Sequence, residues 1–293
     1  MDVFELGFRI IVPIGLILVM FGMGLGLGAD DFHRVIQNPA AATAGIAGQL
    51  ILLPILAFAI TAIVPMQPEI AVGLIVIAAC PGGVASNAIV FAAKADVALS
   101  VSLTAINSLV TVFTIPFVVS LGVSMHFGSS DAILDLPVLD TILQLFSITV
   151  FPISLGMFVR WRSRILANAL LDPARVGSMI ILTLIVIGVI ALQVESFLAN
   201  VAYAGFSVLL LNLAAMAAGY SLAYVVRLNA AQKTTVAIEI GLQNGTLAVL
   251  VALNLLQMKE VAIVPSVYAA VMLVTGGLFA VLMRRQQARL LTD

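Results

Sequence analysis

The sequence is short of nearly everything a water-soluble domain is built from. Only 9% of its 293 residues are charged, 62% are hydrophobic, and mean hydropathy is +1.22. A soluble domain carries about 25% charged residues, so the composition excludes one, and no stretch is long and polar enough to form one. Cysteine is nearly missing: Cys80 stands alone, which excludes an intrachain disulfide framework. Net charge is -1, so the basic footprint of a nucleic-acid binder is absent. The two histidines, His33 and His126, are expected in loops, away from Cys80, and no nucleophile–base pair is seen, so an enzyme is not expected. The chain opens with Asp2 and Glu5 rather than a basic region. The apolar run from Leu6 to Leu27 is too long for a signal h-region, so neither a secretory signal nor a transit peptide is expected.

What is present is a series of long apolar runs. A spanning helix needs about 20 such residues. The pattern predicts an all-α polytopic membrane protein, one transmembrane domain over 1–293 with nine spans near 6–28, 39–65, 69–93, 96–124, 134–159, 173–195, 198–226, 231–257 and 261–284. Of the 13 Lys and Arg, all but Arg9 and Lys259 then fall on one side, while the opposite loops carry Glu69, Asp131, Glu195 and Glu260. Basic residues accumulate on the cytoplasmic side, which places the N-terminus outside and the C-terminus inside a cell (inner) membrane.

Glu239 lies deep in the eighth run, and no Lys or Arg lies at comparable depth. A carboxylate at the bilayer centre costs about 2.5 kcal/mol even on lenient scales. A proton or a metal cation must balance it. Two runs are also interrupted, at Pro81-Gly82-Gly83 and near Asn244-Gly245. Proline removes a helical hydrogen bond, and backbone freed at membrane depth must face protein or a wet cavity. The breaks lie five spans apart, hence in opposite orientations, the pattern of an inverted repeat whose broken helices build a transporter site. The plainer readings, a kink and a turn, do not explain why both breaks carry Asn with small polar neighbours.

Polar residues gather around these breaks: Gln49 in span 2, Ser86 and Asn87 in span 3, Ser100 and Thr104 one turn apart in span 4, and Glu239, Gln243 and Asn244 in span 8. Singly, each Ser, Thr, Gln or Asn is as readily a structural hydrogen-bonding residue. Together they are oxygen donors without His or Cys, which suits a hard cation. One carboxylate among neutral oxygens suits sodium or a proton. Gly22, Gly24, Gly26 and Gly28 lack the preceding strand of a dinucleotide site and are expected to serve helix packing. Cys80 is expected to pack beside the break, and Lys94 with Asp96 to form a solvated helix end.

At these residues the chain resembles the bile acid:sodium symporter family. The likeness rests on Phe21-Gly22-Met23-Gly24-Leu25 with Asp31-Phe32, Cys80-Pro81-Gly82-Gly83 with Ala85-Ser86-Asn87, Ala98-Leu99-Ser100 with Thr104, and Glu239-Ile240-Gly241-Leu242-Gln243-Asn244. It implies a core of helices about 39–124 and 198–284, a panel of helices about 6–28 and 134–195, and crossing breaks. It implies a first sodium site at Ser86, Asn87, Ser100, Thr104 and Glu239, and a second at Gln49, Glu239, Gln243 and the carbonyls of Ile240 and Leu242. It places an organic anion near Val84, Ala85, Asn244 and Gly245. Members often carry Thr where this chain has Val84, so one hydrogen bond to a substrate carboxylate is lost. The resulting expectation is a sodium-coupled symporter of an organic anion working by alternating access, with sodium as coupling ion and no cofactor. A proton-coupled or efflux carrier of the same fold stays open, and, from a different class, a channel or sensor.

Overall fold

The computed structural model describes residues 3–128, 138–192 and 194–290, which are helical throughout apart from short connections. The expectations placed on Asp2, on Asp131 and on a span start near 134 lie outside these residues. Among the described residues six helices are long and apolar enough to cross a membrane, and a bent pair at the N-terminus makes a seventh candidate. The protein is therefore a multi-pass membrane protein.

Helix α1 (Val3–Gly26) ends at Leu27-Gly28, and α2 (Ala29–Gln37) leaves it at 69°. The turn is stabilised by Asp31, whose carboxylate accepts the Gly28 N–H at 2.8 Å. None of the described residues of α2 is fully buried, and Ile36 is exposed. His33 therefore sits on a helix, not in a loop, because Asp30 and Asp31 in its first turn and Arg34 in its last suit the helix dipole. Helix α3 (Pro39–Ile63) starts with Pro39 at its first position, where a missing N–H costs nothing. Its turn at Gly48–Leu52 is π-helical.

The third run splits into α4 (Pro68–Ala79) and α5 (Val84–Ala92), and α6 (Val97–Phe127) follows, capped by the Asp96 carboxylate on the Leu99 N–H. His126 lies in the last turn of α6, again not in a loop, and hydrogen-bonds Thr61 at 3.1 Å. Asp96 is more than a solvated end: its backbone N–H donates to Thr235 Oγ1 at 3.0 Å. Helices α7 (Val138–Arg162) and α8 (Arg164–Leu192) meet at Ser163. Helix α8 begins well before the expected 173 and takes in Pro173, because the preceding segment keeps apolar residues at helical spacing.

Helix α9 (Val194–Val225) precedes the second split run, α10 (Ala230–Gly241) and α11 (Gly245–Leu255), and α12 (Ile263–Leu290) closes the chain. Asn229 and Gln232 cap α10 reciprocally.

Helix α1 packs closely on α7 and α8. A methyl group on Gly24 would collide with the Ile153 carbonyl, one on Gly156 with the Phe21 carbonyl, and one on Gly22 would stand 2.8 Å from the Ala174 methyl. The small residues of the first helix thus serve packing. Helices α4, α10 and α11 lie at the centre, with α10 and α11 buried nearly end to end. Phe113, Phe117 and Leu121 on α6, by contrast, are exposed at helical spacing, the lipid-facing side of a spanning helix.

Candidate ion and substrate site

The two breaks meet. Gly82 and Gln243 form an isolated antiparallel bridge, and the Asn244 N–H donates to the Pro81 carbonyl at 2.8 Å. Each broken run thereby satisfies part of the other's freed backbone, as backbone without water requires. The two breaks are close here: a methyl on Gly83 would stand in ordinary van der Waals contact with Asn244 Cα, at 3.4 Å.

Glu239 lies in the last turn of α10 and is 1% exposed. Its Oε1 faces the hydroxyls of Ser86, at 2.7 Å, and Ser100, and its Oε2 the hydroxyl of Thr104 at 2.8 Å. Ser86 also faces the Gly83 carbonyl at 2.8 Å, Ser100 the Asn87 Oδ1 at 2.7 Å, and Thr104 the Ser100 carbonyl at 3.0 Å. Three hydroxyl protons therefore stand among six close oxygen–oxygen contacts. Half of these contacts have no proton to hold them, so the cluster is rich in lone pairs and poor in donors. No Lys or Arg among the described residues reaches Glu239, and no group of three His, Cys, Asp or Glu that would suit a metal such as zinc occurs among them. The donor set fits a hard cation of single charge.

All five residues of the first expected set thus come together. The second set comes together in part. The Gln49 amide, on the π-turn of α3, donates to the Cys80 carbonyl at 2.7 Å and to Gln243 Oε1 at 2.9 Å, and the Gln243 amide donates to the Ile240 carbonyl at 2.7 Å. Here amide N–H groups occupy the oxygens. The carboxylate of Glu239 is engaged by the first cluster, and the N–H of Leu242 bonds the Ile238 carbonyl at 2.8 Å, within its own helix end rather than with this set. Cys80 is buried and supplies its carbonyl to Gln49, consistent with a packing residue.

Beside the crossing is a cavity of about 410 Å³. One wall is formed by the starts of α5 and α11, including Gly83, Val84, Ala85, Asn244 and Gly245, and the opposite wall by α1 and α8. All four residues expected at the substrate therefore line it, as do Asn87 and Gln243. No side chain caps α5, whose first residues Val84 and Ala85 line this space. The start of α11 is capped internally, Asn244 Oδ1 accepting the Leu247 N–H at 3.0 Å. The remaining lining is mainly apolar, Met23, Phe91 and Leu182 among it, and among the residues whose side chains are described it includes no Lys, Arg or His.

The sequence reading missed Asn212 on α9 and Tyr268 and Thr275 on α12. Asn212 Nδ2 and the Tyr268 hydroxyl donate to the Gly241 carbonyl at 2.7 and 2.8 Å, and Thr275 Oγ1 lies 2.6 Å from Asn212 Oδ1. The available signal was a lone Asn amid Leu-Leu-Leu-Asn-Leu at mid-span.

Comparison with known proteins points to one family. The family described as "Sodium Bile acid symporter family" matches residues 13–200. An uncharacterized sodium-dependent transporter of Bacillus subtilis, YocS, is 31% identical over 241 residues, 82% of this chain and 73% of that protein. A probable chloroplastic sodium/metabolite cotransporter of Arabidopsis thaliana, BASS1, is 27% identical over 96% of this chain and 68% of its own. The human ileal sodium/bile acid cotransporter is 28% identical over 92% and 77%.

Proposed function

The chain belongs to the sodium bile acid symporter family and is a sodium-coupled transporter rather than an enzyme; on that premise we propose that it carries an organic anion inward with sodium by alternating access at the crossing of the two broken helices. The observation that carries the reading is the buried carboxylate of Glu239 among oxygens that outnumber the available protons. The first sodium ion is held by Ser86, Asn87, Ser100, Thr104 and Glu239. It takes the lone pairs that no proton fills and neutralises a charge that is costly at membrane depth.

The second ion lies at Gln49, Gln243 and the carbonyls of Ile240 and Leu242, with Glu239 shared. For that ion to enter, the Gln243 amide turns so that its oxygen, not its nitrogen, faces the Ile240 carbonyl side. The anion's carboxylate or sulfonate rests at the uncapped start of α5, against Val84 and Ala85, with the Asn244 and Gly245 turn opposite. A helix start favours negative charge, and the apolar α1 and α8 wall takes the body of the substrate. With Val84 in the wall, backbone N–H groups and the ions do the recognition that a hydroxyl would have shared.

Counting α4 with α5 and α10 with α11 as one broken span each gives nine spans, with α1, α7 and α8 as panel and the rest as core. The basic residues at the ends of α2, α5, α7, α9 and α12 support a cytoplasmic C-terminus and an external N-terminus in the cell inner membrane. The cavity reaches Leu27, Phe91 and Val97, at that same basic end, so it is read as inward-facing.

The test is thermal unfolding of the purified protein in increasing NaCl against choline chloride at matched ionic strength. Sodium is expected to stabilise the wild type, by about 2.7 kcal/mol at a hundredfold excess over its Kd. Glu239→Gln is expected to fold and to lose that response. Stabilisation by lowered pH alone, with no sodium effect, would replace this reading with a proton-coupled one.

A further inference from the structure

At each break a carbonyl left over at the end of a half-helix is taken by a side-chain amide from the long helix that precedes it. Gln49 of α3 donates to Cys80 O, and Asn212 of α9 to Gly241 O, both at 2.7 Å. The likeness ends there. The second contact of Gln49 is another amide, Gln243: the two exchange N–H···O contacts at 2.9 and 3.4 Å, and each amide nitrogen also donates to a carbonyl, Cys80 O or Ile240 O, so the pair reverses only if both amides turn together. Asn212 is oriented by a hydroxyl instead. Thr275 Oγ1 stands 2.6 Å from its Oδ1 and 2.9 Å from the Val271 carbonyl of its own helix, and with the hydroxyl proton toward the amide only the nitrogen of Asn212 faces Gly241. The Tyr268 phenol donates to the same carbonyl, and Asn212 and Tyr268 are both 0% exposed. A methyl on Gly241 would collide with Met216, so α9 presses directly on this end of α10. Gly241 is two residues beyond Glu239, in the same final turn.

We infer that Asn212, Tyr268 and Thr275 are positioning residues for the coupling ion: a rigid anchor that holds the end of α10, and with it the Glu239 carboxylate, against the Ser86, Ser100 and Thr104 hydroxyls. This rests on the reading of Glu239 as a sodium ligand. None of the three anchor residues touches the ion, so their removal weakens sodium binding by letting the carboxylate drift while every ligand stays present.

The experiment is NaCl titration of purified full-length protein, following unfolding temperature, with the probe NaCl alone and choline chloride as the matched salt. Tyr268→Phe and Thr275→Val are each expected to raise the half-maximal NaCl concentration about three- to tenfold, the weight of one net hydrogen bond. Thr275→Ser is expected to restore the wild-type midpoint. Ser266→Ala removes a buried hydroxyl from the same helix that bonds only its own backbone, and is expected to leave the midpoint unchanged. Lowered stability with an unshifted sodium midpoint in Tyr268→Phe and Thr275→Val would overturn the inference and make the anchor merely structural. A wild type that does not respond to sodium would instead overturn the reading of Glu239. Should Tyr268→Phe fail to fold, Thr275→Val carries the test, since it leaves both donors to Gly241 in place and frees only the amide.

Discussion

Gly82→Ala separates the ion site from the fold more cleanly than removal of any ligand. Gly82 has no left-handed backbone, since Gly128 is the one glycine with positive φ among the described residues, so alanine is conformationally allowed. Its methyl group, however, would stand 2.8 Å from Glu239 Oε2, where ordinary contact begins at 3.4 Å, a shortfall of about 0.6 Å. The atom it meets is the tip of a flexible side chain, so the carboxylate yields and the helices do not. Yielding takes Oε2 away from Thr104 and tilts Oε1 away from Ser86 and Ser100. Hydrogen bonds to a charged group are worth about 1.5–3 kcal/mol. A loss of that size corresponds to about a 10- to 150-fold weaker sodium affinity at 1.4 kcal/mol per decade, with all five ligands still in place. The assay is the NaCl titration of unfolding temperature, paired with sodium-driven uptake in proteoliposomes once a substrate is in hand. Gly83→Ala is the matched control: its methyl would meet only Asn244 and Gln243 backbone, at 3.4 Å or beyond, and the sodium midpoint is expected to stay within about twofold. An unshifted midpoint in a well-folded Gly82→Ala protein would refute the assignment of the carboxylate, as would an equal shift in both variants.

Two further expectations concern packing. Gly24→Ala and Gly156→Ala push methyl groups into backbone atoms of the facing helix, which no rotamer change relieves, and each is expected to destabilise the protein by about 3 kcal/mol or more. Gly177→Ala, with no atom within 4 Å, should gain about 0.5–1 kcal/mol of helix propensity; chemical unfolding of the three variants together checks the contrast. Asn107 is 1% exposed on the same face of α6 as Thr104, and its Oδ1 has no hydrogen-bond partner. Because an unmet buried acceptor costs about 1–3 kcal/mol, Asn107→Leu is expected to raise the unfolding temperature and leave the sodium midpoint alone; a large fall in stability would show that the amide is engaged.

The parts of this architecture that announce themselves in the sequence are those set by local chemistry. Proline and paired glycines in an apolar run break a helix whatever surrounds them, so both discontinuities were legible at Pro81 and Asn244. A lone acid far from any basic residue needs a counter-charge, so Glu239 was legible too. What escaped depends on three-dimensional company. The π-turn that carries Gln49 has no local signature in Gly48–Leu52. The helix after Gly28 is short and polar, so hydropathy passed over it although Asp31 caps it. The allotment of Glu239 to the hydroxyl cluster rather than to the Gln49–Gln243 pair is a matter of side-chain direction, which spacing does not encode. Asn212 and Tyr268 escaped for another reason: each looks structural alone, and only the Gly241 carbonyl between them shows their common task.

The position of Glu239 relative to the cavity also bears on the order of events in the proposed cycle. Ser86, in the first turn of α5, bonds the carboxylate, while Val84 and Ala85 of the same turn line the cavity. The carboxylate is thus one side chain away from where an anion would rest. With Glu239 ionised and no ion bound, its charge opposes the anion; at an effective dielectric of about 20, two like charges about 8 Å apart repel by about 2 kcal/mol. The partial positive charge of a helix start, worth about 0.3–1 kcal/mol at an exposed site and up to about 2 kcal/mol where partly buried, at most cancels that. A bound sodium removes the repulsion, and a second makes the sign of the field attractive. Coupling on this view needs no signal relayed through the fold. In the proposed cycle the same carboxylate that collects the cation repels the substrate until the cation has arrived, so the order of binding follows from the charge on one side chain.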